Sequence, residues 1–203
     1  MNFFIATIGR SGSTWLSALL NQSPTHTVMH EEADTRDPMY IHPHSQFPIK
    51  RFAKPNYGEV QGFLRYQLSA TCPGPERLIP RRALLRRETK SVIKSWMNRD
   101  YRQIDELSAV IFEVVTQQRL LDMWAASDPE VRTFRFENLT TNLEALKELC
   151  SWLEIDLVPT DEQMREVKNP NDPAQHLFDW DEKSNELYDR IASRQKKRSG
   201  YSS

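Results

Sequence analysis

A chain of 203 residues, 38% hydrophobic and 27% charged, carries enough apolar material for a single globular domain with a sizeable core. Its formal net charge of -1 excludes a general attraction to nucleic acid or to an anionic membrane, and no apolar run is long enough to span a bilayer. Two cysteines, Cys72 and Cys150, far apart and without zinc spacing, exclude a disulfide framework and predict a reducing, cytoplasmic setting.

The apolar run Phe3-Phe4-Ile5-Ala6-Thr7-Ile8-Gly9 predicts a buried strand over 3–8, beginning too close to Met1 to leave room for a signal peptide. Arg10-Ser11-Gly12-Ser13-Thr14-Trp15 follows, then a helix over 14–21 with Leu16, Leu19 and Leu20 on one face. This layout builds an anion cradle. Glycine lets backbone approach a ligand, the helix start adds partial positive charge, Ser11, Ser13 and Thr14 offer hydroxyls, and Arg10 a forked cation. An ordinary strand-to-helix turn with a Ser or Thr cap is the plain alternative, and it needs fewer donors. The Gly-Lys-Ser/Thr ending of a Walker A loop is missing, as is G-x-G-x-x-G, so neither a magnesium-nucleotide loop nor a dinucleotide fingerprint is present.

A second short strand is predicted over 25–30, ending at His30-Glu31-Glu32. Residues 33–56 are rich in Pro, His, Asp and aromatics with no period, which predicts an acceptor-side loop or lid. His42 and His44 lie within it, and their His-Pro-His spacing has no third ligand to suggest a metal. A helix is predicted over 57–70, before the break at Cys72-Pro73-Gly74-Pro75. Arg77, Arg81, Arg82, Arg86 and Arg87 crowd around a third strand over 82–86, whose centre Ala83-Leu84-Leu85 is apolar.

Val92, Ile93, Trp96 and Met97 give the following helix one buried face, and apolar residues from Ile104 to Trp124 mark a long helix. A fourth strand is predicted over 131–136. Thr141-Asn142-Leu143-Glu144 reads as a capping box opening a helix through Trp152, and Thr160-Asp161-Glu162-Gln163 as a second box. After the break at 169–173 a last helix is predicted over 183–193, with 194–203 a flexible basic tail. Trp96, Trp124 and Trp152 read as core; Trp15 could pack beside a nucleotide, and Phe47, Phe52, Tyr57 or Trp180 could stack on an adenine or sugar.

Strands separated by helices predict an α/β fold in one domain over 1–203, three layers around a mostly parallel sheet of four to five strands. Ligands of such sheets sit beyond the carboxyl ends of the strands. That rule gathers residues 10–14, Glu31 and Glu32, Arg87, and Glu137-Asn138 in one place.

With these pieces placed, the chain resembles the sulfotransferases that use 3′-phosphoadenosine 5′-phosphosulfate. Gly9-Arg10-Ser11-Gly12-Ser13-Thr14-Trp15 is similar to the family's 5′-phosphosulfate loop. Arg87, with Ser95 eight residues beyond it, matches the family's 3′-phosphate pair, and Phe134-Arg135-Phe136-Glu137-Asn138-Leu139 looks like its strand–Tyr-Glu-Asp-Leu–helix element. Glu88-Thr89 departs from the usual Asp-Pro, and the C-terminal basic Gly-rich loop of small-molecule enzymes has no counterpart. Arg10 and the His30-Glu31-Glu32 segment are closer to carbohydrate-type and bacterial branches.

The resemblance implies a P-loop NTPase-like fold and transfer of a sulfuryl group to a hydroxyl or amine of a carbohydrate or small molecule, with adenosine 3′,5′-bisphosphate as product and no metal. Residues 10–15, Arg87 and Ser95 would hold the donor, Arg10 would stabilise charge on the transferring group, and Glu31 is the favoured general base. Glu32, His30, His42 and His44 stay open as alternative bases. Two rival readings are a small nucleotide kinase, which lacks its Gly-Lys-Ser/Thr loop here, and a catalytically silent nucleotide- or glycan-binding module, which would need no base.

Overall fold

The computed structural model of the chain describes residues 1–30, 56–61, 80–99, 106–166 and 178–198. Glu31, Glu32, His42, His44, Phe47, Phe52, Cys72, Arg77 and nearly all of the 33–56 segment lie outside the described residues. In chain order the elements are β1 (Phe3–Ala6), α1 (Ser13–Leu20), β2 (Thr27–His30), β3 (Tyr57–Gln61), β4 (Arg81–Arg86), α2 (Thr89–Arg99), α3 (Leu107–Ser127), β5 (Val131–Arg135), α4 (Phe136–Thr141), α5 (Leu143–Leu153), α6 (Asp161–Glu166) and α7 (Glu182–Arg198). The chain divides into two compact units, Met1–Arg87 with Leu120–Asn169, and Glu88–Arg119 with Pro170–Ser203.

The first unit holds a five-stranded sheet in the order β2-β3-β1-β4-β5, every neighbouring pair parallel. Strands of such a sheet are covered on both faces and read as continuous apolar runs, as β1 does with all four residues buried. Phe3 and Ile5 of β1, Val28, Val60, Ala83, Leu85 and Phe134 share one core with Trp15, Leu16, Leu19 and Leu20 of α1 and the buried faces of α4 and α5. Alternation sends Phe4 and Leu84 to the other face, where the Trp124 ring of α3 meets Phe4 edge-on at 6.4 Å.

β3 corrects the sequence reading. The pattern over 57–70 predicts a helix, whereas Tyr57–Gln61 is a strand between β2 and β1. A Cβ at Gly58 would lie 1.9 Å from Phe3 Cζ, so the residue opposite Phe3 in the register must be glycine. The Phe3 ring covers the strand at that point, and the two parallel partners supply the backbone pairing that helical periodicity cannot weigh.

The crowded arginines have separate partners. Arg82 is buried, and its Nε and Nη2 donate to Asp128 Oδ2 and Oδ1 at 2.8 and 3.1 Å. Asp128 also accepts the Glu130 N–H at 3.1 Å, so the ion pair fastens β4 to the turn that launches β5. Arg81 pairs with Glu154 and lies 4.6 Å over the Trp152 ring, which Arg132 covers at 4.8 Å; Arg86 pairs with Asp122.

Cap positions shift by one residue at α5. Thr141 ends α4, its hydroxyl donating to Glu137 O at 2.7 Å, and Asn142 is the cap, accepting from the Glu144 and Ala145 amides. The box at Thr160 forms reciprocally: Gln163 N donates to Thr160 Oγ1 at 3.2 Å and Thr160 N to Gln163 Oε1 at 2.9 Å.

In the second unit Val92, Ile93, Trp96 and Met97 form the buried face of α2. Lys90 Nζ donates to Asn185 Oδ1 at 2.7 Å and lies over the rings of Tyr188 and Trp180, while Trp180 Nε1 donates to the Lys90 carbonyl at 3.2 Å. Trp180 thus joins α2 to the start of α7. That last helix continues to Arg198, past residue 194 where the tail was expected to begin, because buried Gln195 donates to Thr116 Oγ1 at 2.8 Å and to Phe112 O at 3.2 Å.

Removing one partner of a buried ion pair strands the other charge. Asp128→Ala should therefore cost about 3–5 kcal/mol in urea unfolding, more than replacing Arg82 and Asp128 together by apolar residues of similar volume. Burial pushes the Cys150 thiol up to about 11. Above pH 9 the unfolded chain ionises this thiol while the folded chain keeps it neutral, so unfolding releases a proton and stability falls as pH rises. The loss towards pH 11 should approach roughly 2–3 kcal/mol relative to Cys150→Ala, read from urea curves of the two proteins across that range.

Candidate functional site

The site grows from the carboxyl end of β1. Thr7 is buried and its hydroxyl donates to the Leu85 carbonyl at 2.8 Å, tying the exits of β1 and β4 together. Ser11 N donates to Ile8 O at 3.1 Å, closing a turn in which Arg10 adopts φ 70° and Gly12 φ 90°. A left-handed arginine costs about 1–2 kcal/mol, and such strain persists where the surroundings over-determine it. Alternating hands of backbone curl successive N–H groups into a concave nest suited to an anion.

α1 starts without a side-chain cap. Gly12 occupies the cap position, and Leu16 N donates to Gly12 O at 2.9 Å. The first-turn amides of Ser13, Thr14 and Trp15 precede that bond, in the positions that a helix leaves unpaired along its own axis. Ser11 is 1% exposed and its Oγ has no hydrogen-bond partner among the described residues. The arrangement fits the phosphate end of a nucleotide.

The structure places Arg87 against this loop. Its Nη1 donates to the Arg10 carbonyl at 2.9 Å, and its guanidinium lies 4.9 Å over the Phe136 ring. Trp15, 6% exposed, meets the same ring edge-on at 5.6 Å. A Cβ at Gly12 would fall 2.1 Å from Phe136 Cε2, so the close approach that glycine permits is, on that side, to a phenyl ring. Phe136, at the junction of β5 and α4, is a site residue that sequence reasoning did not single out. The signal lay in the Phe134-Arg135-Phe136 alternation, which puts Phe136 on the same face as the core residue Phe134.

His30 ends β2 with its Nε2 2.9 Å from Ser13 Oγ and 3.4 Å from Thr14 Oγ1. Ser95 is half-buried on α2, in the second unit. At Glu88 the carbonyl accepts Val92 N at 3.1 Å and the carboxylate accepts the Ser91 hydroxyl, so the residue serves as the start of α2. Tyr57 is buried within β3. Among the described residues no group of three His, Cys, Asp or Glu side chains could hold a metal ion, and no helix is long and apolar enough to cross a membrane.

Gly12 and Phe136 are coupled by contact. Gly12→Ala should destabilise by at least about 1–2 kcal/mol from the left-handed φ alone. Phe136→Ala should cost about 3–5 kcal/mol, and the double variant should fall short of the sum by roughly 0.5–3 kcal/mol, because the second change removes the atoms that the first strikes. Urea unfolding of the four proteins measures this cycle.

No protein-family model and no curated protein sequence matches the chain. Among solved structures, mouse sulfotransferase SULT7A1 complexed with PAP superposes with a TM-score of 0.61 at 12% identity, over 98% of this chain and 84% of that one. Retinol dehydratase in complex with androsterone and inactive cofactor PAP gives a TM-score of 0.53 at 10% identity, over 100% of this chain and 82% of that one. At such identities the likeness is one of fold: this chain carries the α/β fold, built on a central five-stranded parallel sheet, of a PAP-bound sulfotransferase.

Proposed function

We propose that the protein is a sulfotransferase that moves a sulfuryl group from 3′-phosphoadenosine 5′-phosphosulfate to a hydroxyl or amine of a carbohydrate or small-molecule acceptor in the cytoplasm. One observation carries the reading: a nest with two left-handed residues leads into a helix without a side-chain cap, around a buried Ser11 hydroxyl with no hydrogen-bond partner among the described residues and beside Arg87. A fold shared with structures that contain PAP adds support.

The donor, when bound, supplies an activated sulfuryl group whose leaving oxygen belongs to a 5′-phosphate. In this reading the amides of Ser13, Thr14 and Trp15 and the hydroxyls of Ser11, Ser13 and Thr14 hold that phosphate and orient it for in-line attack. Arg10 stabilises the negative charge that builds on the transferring group and the leaving oxygen. Arg87, with Ser95 eight residues on at the spacing the resemblance implies, takes the 3′-phosphate. Glu31, outside the described residues, is the base that accepts the acceptor's proton as the new bond to sulfur forms. Trp15 and Phe136 hold the loop's shape from behind.

Adenosine 3′,5′-bisphosphate at a hundred times its Kd should stabilise the protein by about 2.7 kcal/mol in a thermal-shift titration, and ATP–Mg²⁺ should not. Stabilisation by ATP–Mg²⁺ alone would identify a kinase-type site and end the sulfotransferase reading. With labelled donor and an acceptor panel, Arg10→Ala should lower turnover roughly 10²–10³-fold. Binding of the bisphosphate without turnover on any acceptor would point instead to a silent binding module.

A further inference from the structure

The geometry points to His30 as a positioning residue that aims the hydroxyl protons of Ser13 and Thr14 into the anion loop, an inference that rests on the loop's role in binding the donor's 5′ end. Alternation along β2 puts His30 on the same face as Val28, which lies in the core shared with α1. At the carboxyl end of the strand this side chain therefore meets the first turn of that helix. Its Nε2 stands 2.9 Å from the buried Ser13 Oγ and 3.4 Å from Thr14 Oγ1.

A hydroxyl has one proton to donate. If the Nε2 of His30 accepts it, Ser13 turns lone pairs towards an incoming phosphate and repels it. If Nε2 carries a proton and donates to Ser13 Oγ, the serine proton is left for the ligand, and the bond it accepts from the ring strengthens the one it donates. A phosphate is an acceptor only, so the second arrangement is the one that binds it. Thr14 is held from the same nitrogen at longer range, while its carbonyl accepts the Ser17 hydroxyl at 3.0 Å. His30 thus acts on the donor's 5′ end through Ser13 and Thr14.

Calorimetric titration of the full chain with adenosine 3′,5′-bisphosphate, adenosine 3′-monophosphate and inorganic phosphate tests this. His30→Phe should weaken the bisphosphate and inorganic phosphate roughly tenfold and leave the 3′-monophosphate within about twofold, the size expected for one lost hydrogen bond. His30→Gln, whose amide N–H reaches near the position of Nε2, should restore most of the loss. In a Ser13→Ala background, His30→Phe should have no further effect beyond its weaker bond to Thr14. Equal loss for all three ligands, no loss for any, absence of rescue by glutamine, or a full His30→Phe effect without the Ser13 hydroxyl would each overturn the assignment. If the wild-type protein binds the bisphosphate no better than the 3′-monophosphate, the sulfuryl-donor reading fails separately, and the role of His30 is then decided by the inorganic phosphate titrations.

Discussion

The ring of Phe136 fills the space that a side chain at residue 12 would need, and the shape of the loop between β1 and α1 follows from that contact. Gly12 is forced to be glycine twice, by its left-handed φ and by the phenyl carbons 2.1 Å from where a Cβ would sit. The edge-on contact with Trp15 anchors the first turn of α1, and the face of the ring carries the Arg87 guanidinium. One side chain at the exit of β5 thereby sets the loop after β1, the helix behind it and the arginine after β4. Because parallel strands end at one edge of the sheet, three segments distant in the chain meet there.

Charge is handled by the same economy. Five arginines between residues 77 and 87 look in the sequence like a single basic surface. Strand alternation divides Arg81 from Arg82 and Arg86, and Arg87 follows the end of β4. Arg82 turns inward to a buried carboxylate, Arg81 lies on an indole beside a glutamate, Arg86 meets Asp122, and Arg87 donates to the Arg10 carbonyl. A buried pair such as Arg82–Asp128 adds little net energy over apolar packing, yet it joins β4 to the turn before β5 and so helps set where Phe136 emerges.

Much of this was legible in the residues. The β1 run, the donor-rich loop, the single buried face of α2 and the Thr160–Gln163 box are local patterns, decided within a few residues by burial periodicity and hydrogen-bond chemistry. β3 was not legible. Its five residues contain a glycine, which is poor in an isolated strand, and they become one only because β1 and β2 present unpaired edges and Phe3 needs a neighbour without a side chain. The cap at α5 moved from Thr141 to Asn142 because α4 ends one residue before it, a boundary set by the packing of Leu139 and Leu146 in the shared core.

By itself the sequence determined the α/β class, the order of most elements and the chemical character of the loop at 9–15, since each depends on neighbours in the chain. Arg10, Arg87 and Ser95 were singled out as donor-binding residues by the resemblance to sulfotransferases. Only the tertiary structure decided that Arg87 touches the Arg10 carbonyl, that Phe136 shapes Gly12, and that His30 reaches the Ser13 hydroxyl. These contacts join residues 17 to 124 positions apart, and what brings them together is the parallel register of the sheet, which no local pattern encodes.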